Sequence, residues 1–270
     1  MIEYPSWLHP VLLQVGFIEI RWYSLMYLVG FVVCYFLVPR LAKERGLELT
    51  RAAYDDMWIY FIVGAIVGGR LGFVLLFHPL YYFQHPLEII AIWNGGMAFQ
   101  GGFLGVVLMG ILFSKKYKVS FFELADLFII PLSIALFFGR FGNFANAELY
   151  GKVTELPWGV RFPDQDVFRH PTQIYEMLYN LVNVSIFVPL RKWLQKMSGA
   201  LLALFLAFYA VERFIIELFR DTEAHLWGII TPAQIYCLVM LAGSIFILTV
   251  QLKHWRTTPI STPKKQKRKK

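Results

Sequence analysis

Residues 57–77 read MWIYFIVGAIVGGRLGFVLLF, twenty-one residues whose only charged side chain is Arg70. Coiled as an α-helix, such a run is about 30 Å long, which is the thickness of a bilayer's hydrocarbon core. Six further apolar runs flank it, at residues 23–38, 98–113, 121–138, 174–190, 201–219 and 235–252. The chain of 270 residues is 57% hydrophobic, 17% aromatic and only 16% charged. A soluble domain carries about a quarter charged residues. The expected fold class is therefore all-α and polytopic, with about seven transmembrane helices and one membrane-embedded domain over residues 1–253. The stretch 15–22 alternates partly and is expected to be a short strand or interfacial element. Residues 86–93 are expected to lie at the membrane surface as an amphipathic piece.

Basic residues orient the spans. Arg40, Lys43, Arg45 and Arg51 follow the first run, and Lys115, Lys116 and Lys118 follow the third. Arg191, Lys192 and Lys196 follow the fifth, and Lys253 and Arg256 the seventh. No Lys or Arg falls between Phe77 and Trp93. The alternation places the N-terminus outside and the C-terminus in the cytoplasm. Residues 139–172 then form a small head on the outer face.

The formal net charge is +8, and the tail lysines and arginines after Pro263 supply six of those charges. The basic balance thus points to a cytoplasmic tail (residues 254–270, expected to be disordered) near anionic lipid, and not to nucleic acid. The two cysteines, Cys34 and Cys237, lie in apolar runs with no CxxC spacing. They read as packing residues, with neither a disulfide framework nor a metal site expected. The first ten residues lack the pattern of a cleavable leader.

Ionisable groups inside a membrane are costly, so each is a functional candidate. Arg70 lies in the second run and Gln100 at the start of the third. Arg140, Asn143, Asn146 and Glu148 lie in the polar stretch GRFGNFANAELYG, residues 139–151. Arg169, His170, Gln173, Tyr175 and Glu176 surround the start of the fifth run. Glu212, Arg213, Glu217 and Arg220 close the sixth. With the orientation above, all of these fall in the outer half of the bilayer, as does Tyr23. Arginine is disfavoured on that side, so Arg140 and Arg213 need partners there. Guanidinium binds phosphate with two parallel hydrogen bonds, and a lipid headgroup offers phosphate at that depth. Bland readings stand beside this one. Arg213, Glu217 and Arg220 have the spacing of simple helix-face pairs, and Asn143 and Asn146 are common turn residues.

The stretch 139–151 closely resembles the signature of the bacterial prolipoprotein diacylglyceryl transferases. The blocks RWYSLMY at residues 21–27, GGRLG at 68–72, RHPTQIYE at 169–176 and ERFIIELFR at 212–220 resemble that family in the same order. The resemblance implies a transferase of the bacterial cytoplasmic (inner) membrane, with its active site toward the outer leaflet. Such enzymes move the sn-1,2-diacylglyceryl group of phosphatidylglycerol to the lipobox cysteine of a prolipoprotein signal peptide, and glycerol 1-phosphate leaves. This is the first step of lipoprotein maturation. No cofactor and no metal are implied.

On the same resemblance, Arg140, Arg213, Glu217, Gln100 and Tyr23 are the expected catalytic residues. The expected phosphatidylglycerol-binding set is Arg140, Asn143, Asn146, Glu148, Gly151, Arg213, Arg70 and His170. Arg140 and Arg213 would meet the headgroup and leaving phosphate. Asn143 and Glu148 would orient the glycerol or hold Arg140, and Glu217 would position Arg213. Many relatives carry His-Gly-Gly where this chain has Gln100-Gly101-Gly102. Glutamine accepts no proton, so Gln100 is expected to position substrate. The base for the substrate thiol is open among Glu217, Tyr23 and His170, or the arginine field alone. A lipid or solute transporter is the main alternative. An intramembrane protease is disfavoured, because no Ser/His dyad, paired aspartates or HExxH is present.

Overall fold

The computed structural model describes residues 1–222 and 230–257, with side chains as far as Lys253 in the last helix. The basic tail beyond residue 257 and His225 lie outside the described residues. In chain order the elements are β1 (Ile2–Glu3), β2 (Val11–Val15), β3 (Ile18–Arg21), α1 (Trp22–Glu44), α2 (Arg51–Phe77) and α3 (Pro79–Gln84). Two 3-10 turns follow, Pro86–Ile90 and Ile92–Asn94. Then come α4 (Phe99–Tyr117), α5 (Phe121–Ala145), β4 (Val160–Arg161), α6 (Thr172–Leu194), α7 (Ala200–Phe219) and α8 (Pro232–Thr257).

Each apolar run of the sequence lies in a long helix. Four helices, α1, α2, α5 and α8, are long and apolar enough to cross a membrane. In α6 and α7 the apolar character is diluted by buried Gln173, Glu176, Asn180, Asn183 and Glu217. The outward surfaces are apolar: Leu75, Leu104, Val239 and Phe246 are each more than 60% exposed. In water such a surface would aggregate; lipid is the solvent it fits. The architecture is that of a mostly helical, multi-pass membrane protein. Cys34 and Cys237 are free thiols. The stretch before α1 forms a β2–β3 antiparallel hairpin, with Gly16 at φ 61° in its turn.

Two compact units divide the chain: residues 35–128, and residues 1–34 with 129 onward. Within the 35–128 unit, α2 and α4 meet along glycines. A Cβ placed on Gly68 would stand 2.4 Å from the Gly101 carbonyl oxygen, and one on Gly105 2.1 Å from that of Gly64. The backbones therefore touch, the close approach that only glycine permits. The Thr50 side chain caps α2 by accepting from the Ala53 N–H at 3.2 Å. Asp126, with no side-chain exposure, pairs with Arg45 at 2.8 Å.

Arg70 organises the segment between α2 and α4. Its guanidinium donates to the carbonyl oxygens of Glu88 (2.5 Å), Ile89 (2.8 Å), Gly95 (2.6 Å) and Gly96 (3.2 Å). The ring of Tyr82 covers it, 5.1 Å from the guanidinium carbon. The residue is 4% exposed. One buried cation thus gathers four backbone carbonyls of the segment between α2 and α4.

In the other unit α1 packs on α5, where a Cβ on Gly30 would lie 2.9 Å from that of Ala135. Strands β1 and β4 pair in parallel, Ile2 against Val160 and Glu3 against Arg161. The Tyr4 hydroxyl donates to the carbonyl oxygens of Phe144 and Ala145 at 3.0 and 3.1 Å. The N-terminal residues are thereby tied to the end of α5. The N-terminus of α8 is closed by a reciprocal pair: the Gln234 N–H donates to the Thr231 hydroxyl, and the Thr231 N–H to the Gln234 side chain. This is a capping box, which satisfies two free helix N–H groups.

Candidate active site

The polar stretch 139–151 begins as helix and ends as turn. α5 runs on through Ala145, which puts Arg140 and Asn143 on one face, three residues apart. The chain then reverses through two left-handed residues, Ala147 at φ 52° and Leu149 at φ 60°. Non-glycine residues hold such angles only where their surroundings impose them. Here the Glu148 N–H donates to the Asn143 carbonyl at 3.1 Å. The reversal carries the Glu148 carboxylate back over the end of α5. Arg140 donates to the Asn143 side-chain oxygen at 3.1 Å, and the Asn143 amide donates to Glu148 at 2.8 Å. The Asn146 amide reaches the same carboxylate oxygen at 3.4 Å.

The first turn of α6 holds this reversal from the other side. The Thr172 hydroxyl donates to the Leu149 carbonyl at 2.8 Å, and the Gln173 amide to that of Glu148 at 2.5 Å. One turn further lies Glu176, whose side chain is 1% exposed. It is the centre of the site. One carboxylate oxygen pairs with Arg140 Nε. The other lies 3.3 Å from Arg220 Nη1 and 3.6 Å from Arg213 Nη1.

α7 supplies the remaining charges. Arg213, Glu217 and Arg220 follow at intervals of four and three residues, so they share one helical face. Arg213 pairs with Glu217 at 2.8 Å, and Arg220 approaches the same carboxylate at 4.0 Å. The Thr222 hydroxyl donates to the other Glu217 oxygen at 3.1 Å. Three guanidinium groups thus face the Glu176 and Glu217 carboxylates directly, and the Glu148 carboxylate lies one hydrogen bond further, through Asn143, in a largely dehydrated cluster. Two buried acceptor atoms beside it, Asn146 Oδ1 and Gln173 Oε1, have no donor among the described residues.

Gly151 closes the arrangement. Its N–H donates to the His170 carbonyl at 2.8 Å, and it bridges to Arg220. A Cβ there would come within 2.3 Å of the Phe219 carbonyl oxygen and 2.8 Å of the His170 Cβ. Gly151 therefore acts through packing, by letting the end of the stretch meet the end of α7. Arg169 braces the same corner, with Nη1 donating to the Gly151 carbonyl at 3.2 Å and to Asp221 at 2.7 Å. His170 Nδ1 lies 3.0 Å from the Tyr175 hydroxyl. Burial, and then the Lys152 charge, lower the pKa of the His170 imidazole and so favour its neutral form. Tyr23 begins α1 against this region: a Cβ on Gly142 would stand 3.1 Å from the Tyr23 Cα. Its hydroxyl shares a hydrogen bond with that of Tyr27 at 2.9 Å.

The unit therefore gathers Tyr23, Arg140, Asn143, Asn146, Glu148, Gly151, His170, Arg213 and Glu217 from four sequence blocks. Arg70 and Gln100 belong to the other unit. There Arg70 spends its described hydrogen bonds on backbone carbonyls, and Gln100 is an exposed residue in the first turn of α4. Sequence reasoning noted Glu176 and Arg220 but gave them no role. The signal was present: a lone carboxylate in an apolar run, and a third arginine seven residues after Arg213.

Comparisons with known proteins bear on the same region. A family profile described as prolipoprotein diacylglyceryl transferase matches residues 10–250. A phosphatidylglycerol–prolipoprotein diacylglyceryl transferase of Geobacter sulfurreducens is 41% identical over 83% of this chain and 86% of its own length. Proteins of the same name from Nitratidesulfovibrio vulgaris and Desulfotalea psychrophila are 40% and 39% identical, each over 92% of this chain and more than nine-tenths of their own.

Proposed function

The chain belongs to the prolipoprotein diacylglyceryl transferase family, and from that premise we propose that it transfers the diacylglyceryl group of phosphatidylglycerol to the lipobox cysteine of a prolipoprotein signal peptide. The observation that carries the reading is the cluster around Glu176: three arginines, Arg140, Arg213 and Arg220, gathered on the Glu176 and Glu217 carboxylates. In the reaction the cysteine sulfur bonds to the lipid's terminal glycerol carbon, and the carbon–oxygen bond to phosphate breaks. The bonding pair leaves on the phosphate oxygen, and glycerol 1-phosphate departs. The thiol proton passes to a base or to the departing phosphate.

Negative charge therefore grows on phosphate in the transition state. Arg140 and Arg213 are aimed by Glu176, Asn143 and Glu217 before substrate arrives, so no reorganisation is needed as that charge develops. The unmet acceptors Asn146 Oδ1 and Gln173 Oε1 suit the hydroxyl groups of a glycerol headgroup. Glu148 holds Arg140 through Asn143. Tyr23 borders the phosphate or headgroup, and Gln100 positions substrate. Seven membrane-crossing helices, an outer N-terminus and a cytoplasmic tail complete the reading, with the cluster at the outer leaflet of the bacterial inner membrane. The alternation of basic loops supports that orientation.

The test is purified protein in phosphatidylglycerol vesicles with a lipobox peptide. The expected result is a mass gain of one diacylglyceryl group on the cysteine. Lipid movement across the vesicle without any gain on the peptide would sink the proposal and favour transport.

A further inference from the structure

The outer rim of the site holds a hydrogen-bond relay that the reaction above does not use. The Trp158 indole N–H donates to the Tyr175 hydroxyl oxygen at 2.9 Å, and that hydroxyl lies 3.0 Å from His170 Nδ1. The indole can only donate. Among the described residues the hydroxyl has these two partners, so its own hydrogen must go to Nδ1. The opposite assignment would leave the phenolic hydrogen with no acceptor among the described residues. Nδ1 is therefore the acceptor, and the single ring proton of neutral His170 sits on Nε2. Burial and Lys152 favour the same neutral form. Among the described residues no group accepts from Nε2.

His170 thus presents an oriented N–H donor, backed by two aromatic side chains, where the Gly151 backbone meets the end of α7. The Nδ1 lone pair is occupied and Nε2 carries hydrogen, so this imidazole is poorly placed to take the thiol proton. The Lys152 charge beside it and the three guanidinium groups of the neighbouring cluster favour an anionic oxygen as its partner. Resting on the transferase reading, we propose that His170 Nε2 donates to a glycerophosphate oxygen, and that Tyr175 and Trp158 are positioning residues that fix its tautomer. The glycerophosphate is either the intact lipid headgroup or the released glycerol 1-phosphate.

Equilibrium binding of phosphatidylglycerol in nanodiscs, and of glycerol 1-phosphate, tests this without turnover. His170→Leu removes the donor, and His170→Gln keeps an N–H at similar reach. One such hydrogen bond to an anion corresponds to roughly five- to tenfold in affinity. His170→Leu is expected to lose that factor and His170→Gln to recover most of it. Tyr175→Phe frees Nδ1 and is expected to lose about threefold, with histidine 15N shifts moving from the Nε2–H tautomer to a mixture. Loss for the lipid alone assigns the contact to the bound headgroup, and loss for both ligands to the product phosphate as well. Unchanged affinity for both ligands in a folded His170→Leu protein overturns the proposal. So does a loss confined to the KM of the peptide. Wild-type protein that binds lipid through His170 but never adds mass to the peptide refutes the transferase reading and leaves this contact standing.

Discussion

The α-carbon of Gly151 faces the carbonyl oxygen of Phe219 so closely that a Cβ would come within 2.3 Å of it. The obstacle is backbone on α7, not a flexible side chain that could swing away. Gly151→Ala therefore has to push the end of α7 from the polar stretch, and Arg220 and Glu217 with it. Transfer is expected to fall at least about a hundredfold, as misplacement by about 1 Å commonly produces. The protein should still insert. Peptide mass gain measures activity, and membrane extraction measures insertion. Near-normal turnover would show that this contact does not set the site's geometry.

Glu176 carries the balance of three arginines. Glu176→Gln leaves Glu217 as the one carboxylate in direct contact with them among the described residues, and a destabilisation of roughly 3 kcal/mol is expected from the underpaired buried charge. Thermal unfolding in a fixed detergent reads it. Removing Glu176 and Arg220 together should cost less than the sum of the two single changes, because each charge then loses less.

Arg140→Ala and Arg213→Ala are expected to abolish thioether formation while the chains still insert. Arg140→Lys keeps the charge but loses the planar fork that donates to Asn143 and Glu176 together. It should retain no more than about one hundredth of the activity. Wild-type turnover in any of the three removes the phosphate-stabilising role.

Arg70 yields a different signature. Its described hydrogen bonds hold the carbonyls of Glu88, Ile89, Gly95 and Gly96. Arg70→Ala is expected to expose residues 86–96 to limited proteolysis. If Arg70 instead contacted phosphate directly, lipid affinity would fall with the proteolysis pattern unchanged.

Acid and alkali should act on the outer rim. The His170 pKa is lowered, so folding favours its neutral form. That contribution is complete above the ordinary histidine range and is lost as pH falls through it toward the folded-state value. Tyr4, pushed up to about 12 by burial, acts at the other end. Its contribution is present below the ordinary tyrosine pKa and is lost as pH rises toward 12. Melting temperature against pH should show a rise from acid and a fall in alkali. Tyr4→Phe should remove part of the fall.

The long helices were legible because each contains an apolar run of sixteen residues or more, too long for a buried strand. The site was legible in its parts, since arginines and carboxylates in apolar surroundings stand out. Its centre was not. Glu176 looks no different in sequence from Glu212, and only the crossing of α5, α6 and α7 makes it a three-arginine hub. Arg70 shows the converse: a buried arginine among glycines reads as a ligand site, yet its described hydrogen bonds all go to backbone carbonyls. The turn at Ala147 and Leu149 was hidden too, because neither residue type advertises a positive φ.

Where Gly64, Gly68 and Gly72 of α2 meet Gly101 and Gly105 of α4, backbone lies directly against backbone. Helices joined in this way behave as a single plate. A two-chain lipid is far wider than that seam. The seam is therefore a wall of the enzyme, and whatever parting of helices admits lipid must take place along a boundary lined with larger side chains.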